Sequence, residues 1–120
     1  MKHALIIEDR EVIALMIEDE LAEFGYDSAA KATSEGQAIR LAKQRCPDLI
    51  TADDRLSDGS GIAAVRQICR HQAIAVVFIT GDPKHIEQAI PDAVILEKPF
   101  THSELAAAIL LAVESPHTYR

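Results

Sequence analysis

Short apolar runs alternate along the chain with longer stretches whose apolar residues recur every three or four positions. That alternation predicts repeated β-α units around a parallel sheet. The first run, Ala4-Leu5-Ile6-Ile7, ends abruptly in Glu8-Asp9. Ile13, Ile17, Leu21 and Phe24 then recur at helical spacing up to a stop at Gly25. Tyr26 to Ala30 is a weaker strand candidate. Ser34 and Gln37 predict a capping box for a second helix, in which Ala38, Leu41 and Ala42 share a face and which Pro47 ends. Leu49-Ile50-Thr51-Ala52 is the third strand, stopping at Asp53. After the loop Asp58-Gly59-Ser60-Gly61, a third helix sets Val65, Ile68 and Cys69 on one side. Ala75 to Ile79 is apolar throughout, as a strand buried on both faces requires. Asp82 is expected to cap a short helix, with Pro83 at its first position. Ala93 to Leu96 is the last strand. Thr101 and Glu104 predict a capping box for a final helix that turns Leu105, Ala108, Ile109, Ala112 and Val113 inward. No linker or low-complexity segment interrupts residues 1–120, and a short polar tail follows Ser115. One α/β domain is expected.

Composition narrows the function classes. With 120 residues and 48% hydrophobic content, the chain holds enough apolar material for one packed core. A net charge of −7 repels a phosphate backbone, so nucleic-acid binding is not expected. Cys46 and Cys69 have no metal-ligand spacing around them and read as small buried residues of a reducing compartment. No charged-then-apolar leader opens the sequence, and no apolar run is long enough to span a bilayer. A soluble, cytoplasmic protein, monomeric or weakly dimeric, is expected.

The candidate chemistry lies where the strands end. Open parallel sheets place their sites at the carboxyl ends of strands, beside the point where strand order reverses. Those ends carry Glu8 and Asp9, Asp53 and Asp54, Thr80, then Glu97 and Lys98. Singly, each has a bland explanation: Asp9 as a helix cap, Asp53 or Asp54 as a solvated turn residue, Lys98 as an exposed cation. Together they do not. Carboxylates from adjacent strand ends repel by roughly 4 kcal/mol at about 4 Å, and a hard, oxygen-seeking ion such as Mg2+ would relieve that repulsion. Lys98 adds a fixed cation and Thr80 a hydroxyl. A carboxylate nucleophile, a divalent ion, a lysine and a hydroxyl suit phosphoryl transfer onto aspartate.

These residues resemble those of response-regulator receiver domains. The matching pieces are Ile6-Ile7-Glu8-Asp9, Pro47-Asp48-Leu49-Ile50, Asp53-x-Arg55-Leu56-x-Asp58-Gly59-Ser60-Gly61, Phe78-Ile79-Thr80-Gly81 and Lys98-Pro99-Phe100, spread over residues 3–114. The resemblance implies a doubly wound five-stranded parallel sheet of order 2-1-3-4-5, with helices on both faces and a cis Lys98–Pro99 bond. It implies that Asp53 accepts a phosphoryl group from a histidine kinase or phosphotransferase, and that a downstream protein partner reads the change. It also implies that Glu8, Asp9, Asp53 and the carbonyl of Arg55 bind Mg2+, while Thr80 and Lys98 contact the phosphoryl group. Such a chain is a signalling phosphoacceptor, not an enzyme acting on other substrates.

Four departures stand out. Ile95 occupies the place of the family's switching aromatic residue, Ser57 that of a proline, and Asp54 that of an apolar residue. The segment from Gly81 to Asp92 is short, which predicts a short or irregular fourth helix. With few apolar anchors beyond Ile86 and Ile90, that segment is expected to be weakly restrained and to carry the signal by reordering. These features resemble the stand-alone and stress-response receivers of alphaproteobacteria. An aspartate-nucleophile phosphatase or dehalogenase fits less well, because Arg55 stands where those enzymes place a second aspartate and the chain has no room for a cap domain. A flavin-binding relative would find its phosphate repelled by Glu8-Asp9-Arg10-Glu11. A pseudo-receiver that binds partners without phosphorylation is the alternative that Ile95 favours.

Overall fold

A computed structural model describes residues 1–116 and 118; His117, Tyr119 and Arg120 of the expected tail lie outside the described residues. Five strands and five helices alternate: β1 (His3–Ile7), α1 (Glu11–Glu23), β2 (Ser28–Ala32), α2 (Glu35–Gln44), β3 (Leu49–Ala52), α3 (Gly61–Ile68), β4 (Ala75–Thr80), α4 (Pro83–Ala89), β5 (Val94–Glu97) and α5 (His102–Glu114). All strand pairs are parallel, and the sheet order is β2-β1-β3-β4-β5. The order reverses at β1, so the carboxyl ends of β1 and β3 flank a crevice.

Side chains alternate across the sheet and feed two cores. Leu5, Ile7, Ile50, Val76 and Phe78 pack under α2, α3 and α4. Ala4, Ile6, Leu49, Val77 and Ile79 pack under α1 and α5. This period of two is why β4 reads as an uninterrupted apolar run. α4 has seven residues, fewer than any other helix, in keeping with its short segment. The Lys98–Pro99 peptide is cis, as the family resemblance implies.

Several expectations need correction. β2 starts at Ser28 because the Tyr26 amide donates back to the Leu21 carbonyl (3.1 Å), alongside Gly25 to Ala22 (3.1 Å), closing α1 in a Schellman motif. Tyr26 therefore anchors the core, 5% exposed, and cannot pair as strand. The capping box at α2 is half formed: Ser34 Oγ accepts the Gln37 amide, but Gln37 Oε1 accepts from the amide and hydroxyl of Thr33. Asp82 occupies the N-cap position of α4 without capping it, because its carboxylate is held by Arg55. Val113 is 48% exposed, since the stripe Leu105-Ala108-Ile109-Ala112 already fills the inward face of α5. Cys46 is exposed, because α2 ends at Gln44 and leaves it on the connection to β3, whereas Cys69 is buried and its thiol pushed up to about 12 by that burial. The Gly81–Asp92 segment is better restrained than expected: besides Ile86 and Ile90, polar ties hold it at Asp82, at His85 and through Arg66 Nη2 to the Ala89 carbonyl (2.9 Å).

Candidate functional site

At the carboxyl ends of β1, β3, β4 and β5 a cavity of about 360 Å³ is lined by Asp9, Arg10, Asp53, Arg55, Thr80, Gly81, Asp82 and Lys98. Lys98 follows β5 and its Nζ reaches Glu8 Oε1 (2.8 Å) and Asp53 Oδ2 (2.9 Å). Glu8 is 2% exposed, and its second oxygen accepts the Arg10 amide (3.1 Å). Burial acts to lower the pKa of the Lys98 ammonium, but the hydrogen bonds and charges of Glu8 and Asp53 together outweigh it and hold the group above its ordinary value. Relief of carboxylate repulsion, which the sequence assigns to an incoming ion, is thus supplied here by the protein's own lysine.

Asp9 turns its Oδ2 to Ser57, accepting from both the amide and the hydroxyl at 2.8 Å. The Ser57 hydroxyl bond is the main cause of its lowered pKa, opposed by partial burial. Thr80 is 2% exposed, and its Oγ1 accepts the Asp82 amide (2.9 Å), which leaves the hydroxyl proton to donate elsewhere. Arg55 sends its guanidinium to Asp82 Oδ2 (2.7 Å) while its amide donates to Asp53 Oδ1 (3.3 Å).

The two adjacent aspartates part company. Asp53 faces Lys98 and the cavity, whereas Asp54 is 5% exposed and faces the other way. Asp54 Oδ1 accepts the Ser60 hydroxyl (2.9 Å) and the Ile62 amide (3.4 Å), and Oδ2 meets His85 Nε2 of α4 (2.6 Å). Gly61 completes the arrangement: a Cβ there would stand 1.9 Å from the Asp53 carbonyl oxygen, so only glycine lets α3 begin this close to the Asp53 backbone. Ser57, His85 and this role of Gly61 escape a sequence reading, although the Asp54 departure points toward a buried polar partner.

No group of three or more His, Cys, Asp and Glu side chains among the described residues is arranged to hold a metal ion. Glu8, an expected ligand of the ion, is not among the residues lining the cavity and lies buried behind Lys98, bonded to it and to the Arg10 amide. Asp9 and Asp53 both border the cavity, and two carboxylates suit magnesium, which keeps several waters and takes few protein oxygens. That donor set fits the ion.

The family model described as "Response regulator receiver domain" matches residues 4–110. The chain belongs to this family. PhyR, the phyllosphere-induced regulator of Methylorubrum extorquens, is 33% identical to this receiver over 114 residues, covering 91% of it. CheY of Thermotoga maritima, a chemotaxis protein, is 27% identical over 113 residues. The receiver spans 42% of the length of PhyR and 94% of that of CheY. Among solved structures, the receiver domain of Erythrobacter litoralis PhyR superposes with a TM-score of 0.86 at 30% identity, covering 99% of this chain and 95% of that one. No helix among the described residues is long and apolar enough to cross a membrane.

Proposed function

We propose that residues 1–120 act as one cytoplasmic receiver domain that takes a phosphoryl group on Asp53 from a histidine kinase or phosphotransferase and thereby alters its binding to a protein partner. The observation carrying this reading is the placement of Asp53 Oδ2 2.9 Å from Lys98 Nζ, in a cavity shared with Asp9 and Thr80, while Asp54 is occupied elsewhere. A carboxylate oxygen of Asp53 attacks the phosphorus of the phosphohistidine. The new O–P bond forms as the P–N bond breaks, and the electron pair leaves with the imidazole nitrogen. Lys98 orients the nucleophile and neutralises an equatorial oxygen, and the Thr80 hydroxyl donates to another. Asp9, Asp53 and the Arg55 carbonyl would hold Mg2+, with Glu8 placing Lys98 behind them; when bound, the ion supplies charge neutralisation for the transferring oxygens. The product carries about one extra negative charge and new acceptor oxygens, which draw on Thr80 and Lys98.

Intact-mass measurement after incubation with magnesium and acetyl phosphate tests this. A gain of one phosphoryl group, lost in Asp53→Asn and with chelator but kept in Asp54→Asn, is the expected result. Labelling that survives Asp53→Asn and vanishes in Asp54→Asn overturns the assignment. One observation favours the pseudo-receiver alternative: Glu8, Asp53 and Lys98 satisfy one another without a ligand. Wild-type protein that takes no label, under conditions that label another receiver, decides for that alternative.

A further inference from the structure

We infer that Ser57 is a positioning residue that competes with the cation for Asp9 and so sets how much magnesium the site requires. This rests on the reading of the site given above. Ser57 and Asp9 are 48 residues apart, yet the amide and the hydroxyl of Ser57 both donate to one oxygen, Asp9 Oδ2, at 2.8 Å each. Two donors fill the lone-pair directions of that oxygen. They also aim the positive ends of two dipoles at the carboxylate that would receive the ion.

The backbone that carries both donors is held in place. The next residues of the loop are pinned to the start of α2: the Glu35 amide donates to the Asp58 carbonyl (3.1 Å), and the Ser60 amide donates to Glu35 Oε1 (3.0 Å). Gly59, at φ +90°, lies so close to Glu35 that a Cβ there would stand 2.4 Å from the Glu35 Cβ. The loop therefore holds the Ser57 backbone and its amide donor beside Asp9, and the hydroxyl reaches the same oxygen from an exposed side chain. With Lys98 bonded to both Glu8 and Asp53, each acidic group at the site has a protein donor before any ion arrives. An ion gains less from a carboxylate that is already satisfied, so these donors weaken its binding.

Ser57→Ala removes one donor and keeps the amide; Ser57→Thr keeps both. Calorimetric titration with magnesium chloride alone should give binding roughly three- to tenfold tighter in Ser57→Ala, the scale of one ordinary net hydrogen bond at an exposed side chain, with Ser57→Thr close to wild type. In acetyl phosphate labelling, the magnesium concentration for half-maximal rate should fall by the same factor in Ser57→Ala while the plateau rate stays put. Magnesium binding that is equal or weaker in folded Ser57→Ala overturns the role of Ser57 alone. Absence of magnesium binding in wild type and variant alike overturns the underlying reading of the site, and this inference with it.

Discussion

The two ends of the sheet use polar residues in opposite ways. At the amino end, His3 and Asp48 exchange bonds, with the His3 amide donating to Asp48 Oδ2 and the Asp48 amide to the His3 carbonyl, both at 2.7 Å. His3 Nδ1 and Arg45 Nη1 both meet Ser28 Oγ at 2.9 Å. These groups tie β1 to β2 and to the entry of β3. At the carboxyl end, Lys98 joins Glu8 to Asp53 beside a cavity, and Asp9, Thr80 and Arg10 face the same space. The lesson is that bonding alone does not mark a site. Both ends are well bonded, and a cavity at the amino end also carries both signs of charge, from Lys2 and Asp48; the carboxyl end differs in joining its lysine to Asp53 at 2.9 Å beside the hydroxyl of Thr80.

The largest effect that would test this contrast is at Lys98. Lys98→Met leaves the buried Glu8 without its counter-charge, so chemical denaturation should show a loss of about 3 kcal/mol, within the range for breaking a buried pair. Adding Glu8→Gln should restore much of that stability without restoring phosphoryl labelling. If labelling returns with stability, Lys98 serves only the fold.

Asp48→Ala should separate the ends in the other direction. It removes the acceptor of the His3 amide and costs about 1–2 kcal/mol in denaturation, while the labelling rate stays at the wild-type value. A labelling defect matching the stability loss would mean that the two ends are coupled through β1 and β3.

A smaller, pH-dependent effect belongs to His3. Burial, helped by Arg45, lowers its pKa below the ordinary histidine value of 6.5. The folded state thus favours the neutral ring, and its contribution is complete above the unfolded value. Below 6.5 the unfolded chain binds the proton first, so stability falls as the solution becomes more acid. Tm followed from about pH 7.5 to about pH 5.5 should drop in wild type and flatten in His3→Gln. Equal slopes in the two proteins would assign the acid sensitivity to another group.

The smallest expected change is in His85→Gln. The His85–Asp54 contact is half exposed on the histidine side, so stability should change by less than about 1 kcal/mol. Amide exchange in Pro83–Ala89 should nevertheless quicken, because one of the polar ties that hold α4 is lost. Unchanged exchange there would leave α4 held by Ile86, Ile90, Arg66 and the Arg55–Asp82 pair.

What the sequence made legible follows from local rules. The runs Ala4–Ile7 and Ala75–Ile79 announce strands because both faces are covered, and Thr101 with Glu104 closes a full capping box because donor and acceptor lie within one turn. Strand ends then bring Asp53 and Lys98 together, 45 residues apart, once the family order of the sheet is assumed. Contacts outside any periodic pattern stayed hidden. Ser57 reads only as a replacement for the family's proline until Asp9 is seen beside it, and Asp82 reads as a cap until Arg55 takes its carboxylate. Tyr26 misled for a different reason: strand propensity is real there, but the helix before it had already claimed its amide.

The clearance at Gly61 bears on how a mutational map of this receiver should be read. A library scored only for signalling should lose residue 61 as completely as residue 53, since even alanine would drive a methyl group into the Asp53 carbonyl. The two losses would have different origins, one a missing carboxylate and the other a displaced main chain. Soluble yield and melting behaviour sort them: Asp53→Asn should keep both, and Gly61→Ala should keep neither. Intolerance on such a map records geometry as readily as chemistry.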